Sequence, residues 1–290
     1  MLSGQSRFIS TPSVIQQLTG SSTLPAPVNP SLAGRLGLPE ETKLEEIKVV
    51  PTKGVGATQC RPYILHFSGD FKVFLKLSPG VKNAAASQKI ADDNINRAMS
   101  LKTDPFILMI PNSVVIAYDK AKTNELLFFP FVSGQNLFMT TEAVRDNQEK
   151  VDSAFASIGE ALAEVHITCM QQAKTYDNFL AKGCILPAVL VHDDWQSTNI
   201  MINSDFKAKI IDTEGTQFLE DGYRNIKETW EMCGKNPQTM LSFLNGYVQK
   251  FPLEYHTRLK NLLSEKLTAI GCSDIFDYKG KKPTSKLGTV

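Results

Sequence analysis

One segment constrains this chain more than any other: Val191-His192-Asp193-Asp194-Trp195-Gln196-Ser197-Thr198-Asn199, followed by Ile210-Ile211-Asp212. It reads H-x-D-x-x-x-x-N, then two apolar residues and an Asp. Asn199 lies five residues after Asp194, and Asp212 thirteen after Asn199. Apolar runs at 189–191, 200–202 and 208–211 predict short strands around this loop. Such strands would hold Asp194 and Asn199 against the start of the segment carrying Asp212. Phosphoryl transfer asks for such a set. It needs a carboxylate to orient an attacking hydroxyl and accept its proton, and hard oxygen ligands for Mg²⁺ on the phosphates. Asp194 suits the first role, Asn199 and Asp212 the second. A single Asp or Asn in a turn would carry no such meaning, because both are common turn residues.

The rest of the chain supplies a two-lobe pattern. Its 290 residues suit one large domain or two modest lobes. From about residue 46 to 132 the text is strand-rich. Runs at 47–50, 61–67 and 71–77 are separated by Gly or Pro, with a hairpin turn predicted at 67–71. Residues 84–100 read as a helix, and 106–110, 113–118 and 126–129 as further strands. Beyond Gly134 the periodicity turns helical. Val151, Ala154, Phe155, Ile158, Leu162 and Val165 fall on one helix face, and 224–271 are again mostly helical. The expected domains are a leader (1–45), a first lobe (46–132), a helical second lobe (133–278) and a flexible tail (279–290). The fold class is α+β, an antiparallel-sheet lobe followed by a mainly helical one.

The motif H-x-D-x-x-x-x-N with a later I-D resembles the aminoglycoside phosphotransferase and choline kinase branch of the protein-kinase-like superfamily. The resemblance spans roughly 46–270. It implies Asp194 as catalytic base and Asn199 and Asp212 as Mg²⁺ ligands. His192 would be structural. Asp193 stands where that family usually has Gly. In the first lobe the resemblance implies a phosphate-covering loop at Gly54-Val55-Gly56 and a phosphate-binding Lys76, 22 residues beyond Gly54. Lys72, on the same strand face as Phe74 and Lys76, is the rival. Gln59 occupies the place of the family loop's third Gly. The helix after Lys76 has no Glu, so Asp92 is assigned as the partner of Lys76, with Asp93 and Gln88 as alternatives. The run 126–137, Leu-Leu-Phe-Phe-Pro-Phe-Val-Ser-Gly-Gln-Asn-Leu, resembles the family hinge, with Phe129, Phe131 and Val132 at the adenine edge. Pro130 has no N–H to donate. His166 resembles a packed helix-end residue of the family. Phe243-Leu244-Asn245-Gly246-Tyr247 resembles its later F-x-x-x-Y. Glu214 follows Asp212 by two, as an acid often does in the small-molecule branch.

The cofactors implied are ATP and Mg²⁺, and the lead acceptor is a small hydroxyl-bearing molecule. Glu220, Asp221, Glu228 and Glu231 are candidates to line an acidic subsite. The absence of Phe-Gly after Asp212 and of a later Ala-Pro-Glu sets the chain apart from protein kinases. A net charge of +1 gives no global reason to expect nucleic acid or an anionic membrane. Apolar runs fall far short of the ~20 residues a transmembrane helix needs, so no transmembrane segment is expected. The five scattered cysteines form no metal or disulfide pattern, which fits a reduced, cytoplasmic protein. The leader has no Asp or Glu before Glu40, and up to that point only Arg7 and Arg35 carry charge. Its polar composition predicts disorder. It resembles the Ser-rich leaders of bacterial type III secreted effectors. That supports an alternative: a secreted effector kinase acting on a host protein or lipid, whose activity would survive removal of 1–45. A pseudokinase or a nucleotidyl transferase on the same fold is the further alternative.

Overall fold

The computed structural model describes residues 10–50, 60–79, 84–98, 114–119, 122–175, 189–219, 222–273 and 275–277, with the backbone alone at 79, 114–119, 122 and 123. The chain divides into two compact units. The first comprises Met1–Asp93, Ile107–Val132 and Thr213–Gly215, the second Asn94–Phe106, Ser133–Asp212 and Thr216–Val290.

The first unit is built from helix α1 (Thr11–Thr19), strand β1 (Ala26–Pro27), helix α2 (Pro30–Leu36), strands β2 (Lys43–Val49), β3 (Arg61–Phe67) and β4 (Lys72–Pro79), most of helix α3 (Ala84–Ala98), and strands β5 (Val114–Asp119) and β6 (Lys122–Pro130). Its six strands among the described residues form one antiparallel sheet in the order β1-β2-β3-β4-β6-β5. The β3–β4 hairpin turns through Gly69 and Asp70, both with positive φ. Strand alternation divides the side chains between two faces. Tyr63, Leu65, Phe67, Val73, Leu75, Leu77, Leu126 and Phe128 form one buried layer. Phe74, Leu127 and Phe129 form another, against Ala84 and Ala85 of α3. Glu125 accepts a hydrogen bond from the Ala85 N–H (3.0 Å), placing a carboxylate at the positive end of α3.

The expected disordered leader is corrected here for residues 10–45. Val14, Leu18, Val28, Leu32, Ala33, Leu36, Leu38 and Leu44 join the buried layer of the sheet. The i, i+4 pairs Val14/Leu18 and Leu32/Leu36 give each short helix one apolar stripe. Ser10 accepts from the Ser13 N–H, Asn29 accepts from the Ser31 N–H (3.0 Å), and each cap is followed within two residues by Pro. The mean composition is polar, but the apolar residues are placed where a helix can use them. The tail at 279–290 and the expected strand at 106–110 lie outside the described residues.

The second unit contains β7 (Gln135–Asn136), α4 (Leu137–Ala143), α5 (Gln148–Gln172), β8 (Val189–Val191), β9 (Ile200–Ile202), β10 (Ala208–Ile210), β11 (Gln217–Leu219), α6 (Arg224–Met232), α7 (Pro237–Gln249) and α8 (His256–Thr268). Two small antiparallel sheets lie among the helices: β10-β9-β7 and β11-β8. Helices α5 and α7 meet backbone to backbone. A Cβ on Gly159 would lie 2.0 Å from the Phe243 carbonyl oxygen, and one on Gly246 2.1 Å from that of Ala156. His166 and Tyr247 seal this contact through an Nδ1···OH hydrogen bond of 2.8 Å, both side chains fully buried. Burial lowers the His166 pKa to about 3, so this imidazole is neutral. Gly134 also sits where only glycine fits: its φ is +125° and a Cβ would lie 2.2 Å from the Ile202 carbonyl oxygen. No helix among the described residues is long and apolar enough to cross a membrane.

Candidate active site

The loop at 192–199 is organised by its histidine. Strand β8 is wholly buried and paired to β11, and it delivers His192 into the interior, 1% exposed. The Asp194 N–H donates to His192 Nδ1 (3.2 Å), so Nδ1 is the bare nitrogen. His192 Nε2 then carries the hydrogen and donates to the Ile211 carbonyl (3.1 Å). One neutral ring therefore ties the residue before Asp212 to the backbone of Asp194. Burial lowers the His192 pKa, against the opposing pull of the Ile211 bond and the carboxylates of Asp212, Asp194 and Glu228. Trp195 packs edge-on to the ring and donates its indole N–H to Thr229 (3.0 Å).

Asp194 is exposed, yet its carboxylate is fixed. Oδ2 accepts from Asn199 Nδ2 (2.8 Å) and from Gln196 Nε2 (2.7 Å). The same Asn199 amide nitrogen also donates to the Asp194 carbonyl (3.0 Å). With Nδ2 committed, Asn199 has Oδ1 to offer as an acceptor or metal ligand. Asn199 closes a single 3₁₀ turn, Ser197–Asn199, and its carbonyl accepts from the Ile211 N–H (2.9 Å). The β9–β10 hairpin thus begins and ends at the two candidate ligands, with Ile200 opposite Ile210. Asp212 follows directly with φ 55°, a left-handed conformation that Asp tolerates better than most residues.

Asp193, where the resembled family usually has Gly, is not among the described residues with positive φ. Its carboxylate accepts from Arg224 Nη1 (2.9 Å) and its carbonyl from Nη2 (3.0 Å). Arg224 Nε donates to Glu228 (3.0 Å). The next residue, Asn225, grips the backbone of His192 on both sides: Oδ1 accepts from the His192 N–H (3.0 Å) and Nδ2 donates to the His192 carbonyl (2.9 Å). Sequence reasoning missed Arg224, Asn225 and Thr229. The available signals were the i, i+4 pair Arg224/Glu228 and a hydrogen-bonding Asn at the start of an amphipathic helix. The candidates for an acidic subsite already have partners where they are described. Glu228 is held by Arg224 and Asn225, and Glu231 pairs with Lys235 (3.1 Å). Glu220 and Asp221 lie outside the described residues.

In the first unit, Lys76 lies on β4 opposite Leu127 of β6, on the face carrying Phe74. Its ammonium is 3.6 Å from Glu214 Oε2, and the side chain is 14% exposed. Thr213 is fully buried and accepts a hydrogen bond from Gln88 of α3, whose amide also donates to Asp92 (2.8 Å). The segment after Asp212 is thereby fastened to α3 and β4. Asp92 is buried. Lys72, the rival lysine, stands over the Phe131 ring at 5.7 Å. Phe129 is buried, while sheet pairing ends at Pro130, so the backbone of Phe131 and Val132 lies beyond the ladder. Gly54 and Gly56 lie outside the described residues.

No protein-family model matches the chain, and no curated protein does. Solved structures do. Amicoumacin kinase hAmiN, solved with AMP-PNP, Ca²⁺ and Ami, matches with a TM-score of 0.51 at 12% identity, over 77% of this chain and 81% of that one. The chain has a protein-kinase-like fold. This is the fold that the resemblance at 192–212 implied. A spectinomycin phosphotransferase, APH(9)-Ia, solved with ADP and spectinomycin, gives a TM-score of 0.47 at 14% identity, over 84% of this chain and 87% of that one.

Proposed function

We propose that this chain is an ATP-dependent phosphotransferase that moves the γ-phosphate to a hydroxyl group of a small molecule. The observation that carries the reading is the state of Asp194. Its carboxylate is exposed to an incoming hydroxyl but pinned through Oδ2 by Asn199, on a loop built over a neutral buried histidine. A base held in one orientation lowers the entropy cost of in-line attack. The bonds to Asp194 use Oδ2, leaving Oδ1 to receive the acceptor proton.

The donor set also suits Mg²⁺. Asn199 Oδ1 and the Asp212 carboxylate would hold the ion, the rest of its shell coming from phosphate oxygens and water, as is usual for Mg²⁺ on a nucleotide. Among the described residues no group of three or more His, Cys, Asp or Glu side chains could hold a metal without such help. When bound, the ion supplies charge neutralisation on the phosphates. Lys76 would take a phosphate, oriented by Asp92 and Glu214. Gly54 and Gly56 would cover the phosphates. Phe129, Phe131 and Val132 would meet the adenine, with Phe131 or Val132 donating because Pro130 cannot.

Mass spectrometry tests this. The protein is incubated with ATP–Mg²⁺ and two acceptor pools, small hydroxyl metabolites with aminoglycosides and a eukaryotic lysate, beside Asp194→Ala. An Asp194-dependent gain of one phosphate on a small molecule is the expected result. Phosphate only on a protein or lipid would move the reading to an effector kinase. An adenylyl mass would make it a nucleotidyl transferase. Bound nucleotide with no transfer would make it a pseudokinase.

A further inference from the structure

We infer that Arg224 is a positioning residue for the catalytic loop, and that Asp193 and Arg224 work as one unit. The inference rests on the proposed role of Asp194 as base. A glycine before the base has no side chain to satisfy. An aspartate there puts a second carboxylate beside Asp194, on an exposed loop, with freedom to turn. Arg224 removes that freedom. Its fork holds the Asp193 carboxylate and the Asp193 carbonyl at once, at 2.9 and 3.0 Å, and its third nitrogen is anchored on Glu228 at 3.0 Å. Asn225 holds both backbone polar groups of the preceding residue, His192. Two consecutive residues of α6 therefore clamp the two consecutive residues that lead into Asp194.

Exposure sets the scale. Arg224 is 36% exposed and Asp193 51%, so a simple ion pair between them would contribute little. The two-pronged geometry is what gives the contact its effect, because it fixes a peptide plane and not only a charge. Neutralising Asp193 also keeps its carboxylate from competing for the Asn199 and Gln196 amides that hold Asp194. The clamp is local to the loop: among the described residues, the Ile211 N–H bond to the Asn199 carbonyl joins it to the β9–β10 hairpin.

Hydrogen–deuterium exchange of the full chain tests the clamp without any assumed substrate. Arg224→Ala should speed exchange in peptides covering 192–199 by about fivefold, with 200–211 unchanged. In an Asp193→Ala background the same substitution should speed it by only about twofold, because the carboxylate is no longer stranded. Arg224→Lys, which keeps the charge without the fork, should fall between. In parallel, the Asp194-dependent ATP turnover of Arg224→Ala should drop in kcat, with the nucleotide KM within about twofold. Equal effects of Arg224→Ala in both backgrounds would overturn the inference. So would unaltered exchange at 192–199, or acceleration spread evenly through the chain. Wild-type turnover that does not depend on Asp194 would overturn the proposed function instead, leaving the exchange result to judge the clamp.

Discussion

His166 makes the stability of this protein depend on pH in a way that can be calculated. Its imidazole is fully buried between α5 and α7, and burial holds its pKa at about 3, against 6.5 in an unfolded chain. Between these two values the unfolded chain binds a proton that the folded protein refuses. Acid therefore favours unfolding: stability is unaffected well above pH 6.5 and falls as pH drops through it, until the folded group titrates near 3. Each pH unit in that window costs about 1.4 kcal/mol. At pH 5 the group is ~1.5 units below its unfolded value, so the loss relative to pH 7 is about 2 kcal/mol. The control is His166→Asn, whose amide can keep the bond to Tyr247 but does not titrate. Urea unfolding of both proteins at pH 7 and pH 5 gives four free energies. The wild type should lose about 2 kcal/mol more than the variant between the two conditions. His192, also depressed by burial, contributes equally to both proteins and cancels. Parallel losses, agreeing within about 0.5 kcal/mol, would refute the assignment of a neutral, non-titrating His166.

Other expectations follow from the same geometry. Deleting residues 1–45 should leave the first unit unable to fold, contrary to the expectation of a dispensable leader. Six buried side chains, Val14, Leu18, Val28, Leu32, Leu36 and Leu38, would be lost from the core at ~1.5–3 kcal/mol each, roughly the stability of a whole domain. Thermal melting checks this, and an unchanged melt would sink it. Gly246→Ala should destabilise by about 2 kcal/mol despite the better helix propensity of Ala, because its Cβ meets the Ala156 carbonyl with no rotamer to escape into. Denaturant midpoints read that. Asp212→Asn should abolish Mg²⁺-dependent nucleotide binding with little change in stability. Asp212→Ala should do the same and cost a further ~1 kcal/mol, because Ala is strained at φ 55°. Calorimetry with nucleotide and a thermal melt separate the two effects.

The strands and long helices were legible because their periodicity is strong. The helix expected at 84–100 is α3, the apolar face from Val151 to Val165 is the middle of α5, and the run at 126–129 lies in β6. The loop at 192–199 was legible because its chemistry is encoded in consecutive residues. What was not legible depends on contacts across the sequence. Arg224 and Asn225 lie 31 and 33 residues from their loop partners, and the local i, i+4 pair Arg224/Glu228 marks the helix without naming the partners across the sequence. Lys76 and Glu214 come from segments that only the fold brings within 3.6 Å. Residues 10–45 were misjudged for another reason. Their composition averages to polar, while their few leucines and valines occur at helix spacing behind Ser-x-Pro and Asn-Pro starts. Averages hide phase, and phase is what a buried helix face requires.

The leader also bears on how the chain comes to be folded. Val14 and Leu18 share a cluster with Leu126 and Phe128, more than a hundred positions downstream. During synthesis the first helix emerges long before the strands that complete its seat. Until β6 has left the ribosome, those apolar side chains have no permanent home. Such distant closure favours slow assembly and a lengthy interval in which sticky surface faces water. Chaperone dependence during expression, relieved once residues up to Pro130 have left the ribosome, is the cellular signature this wiring predicts.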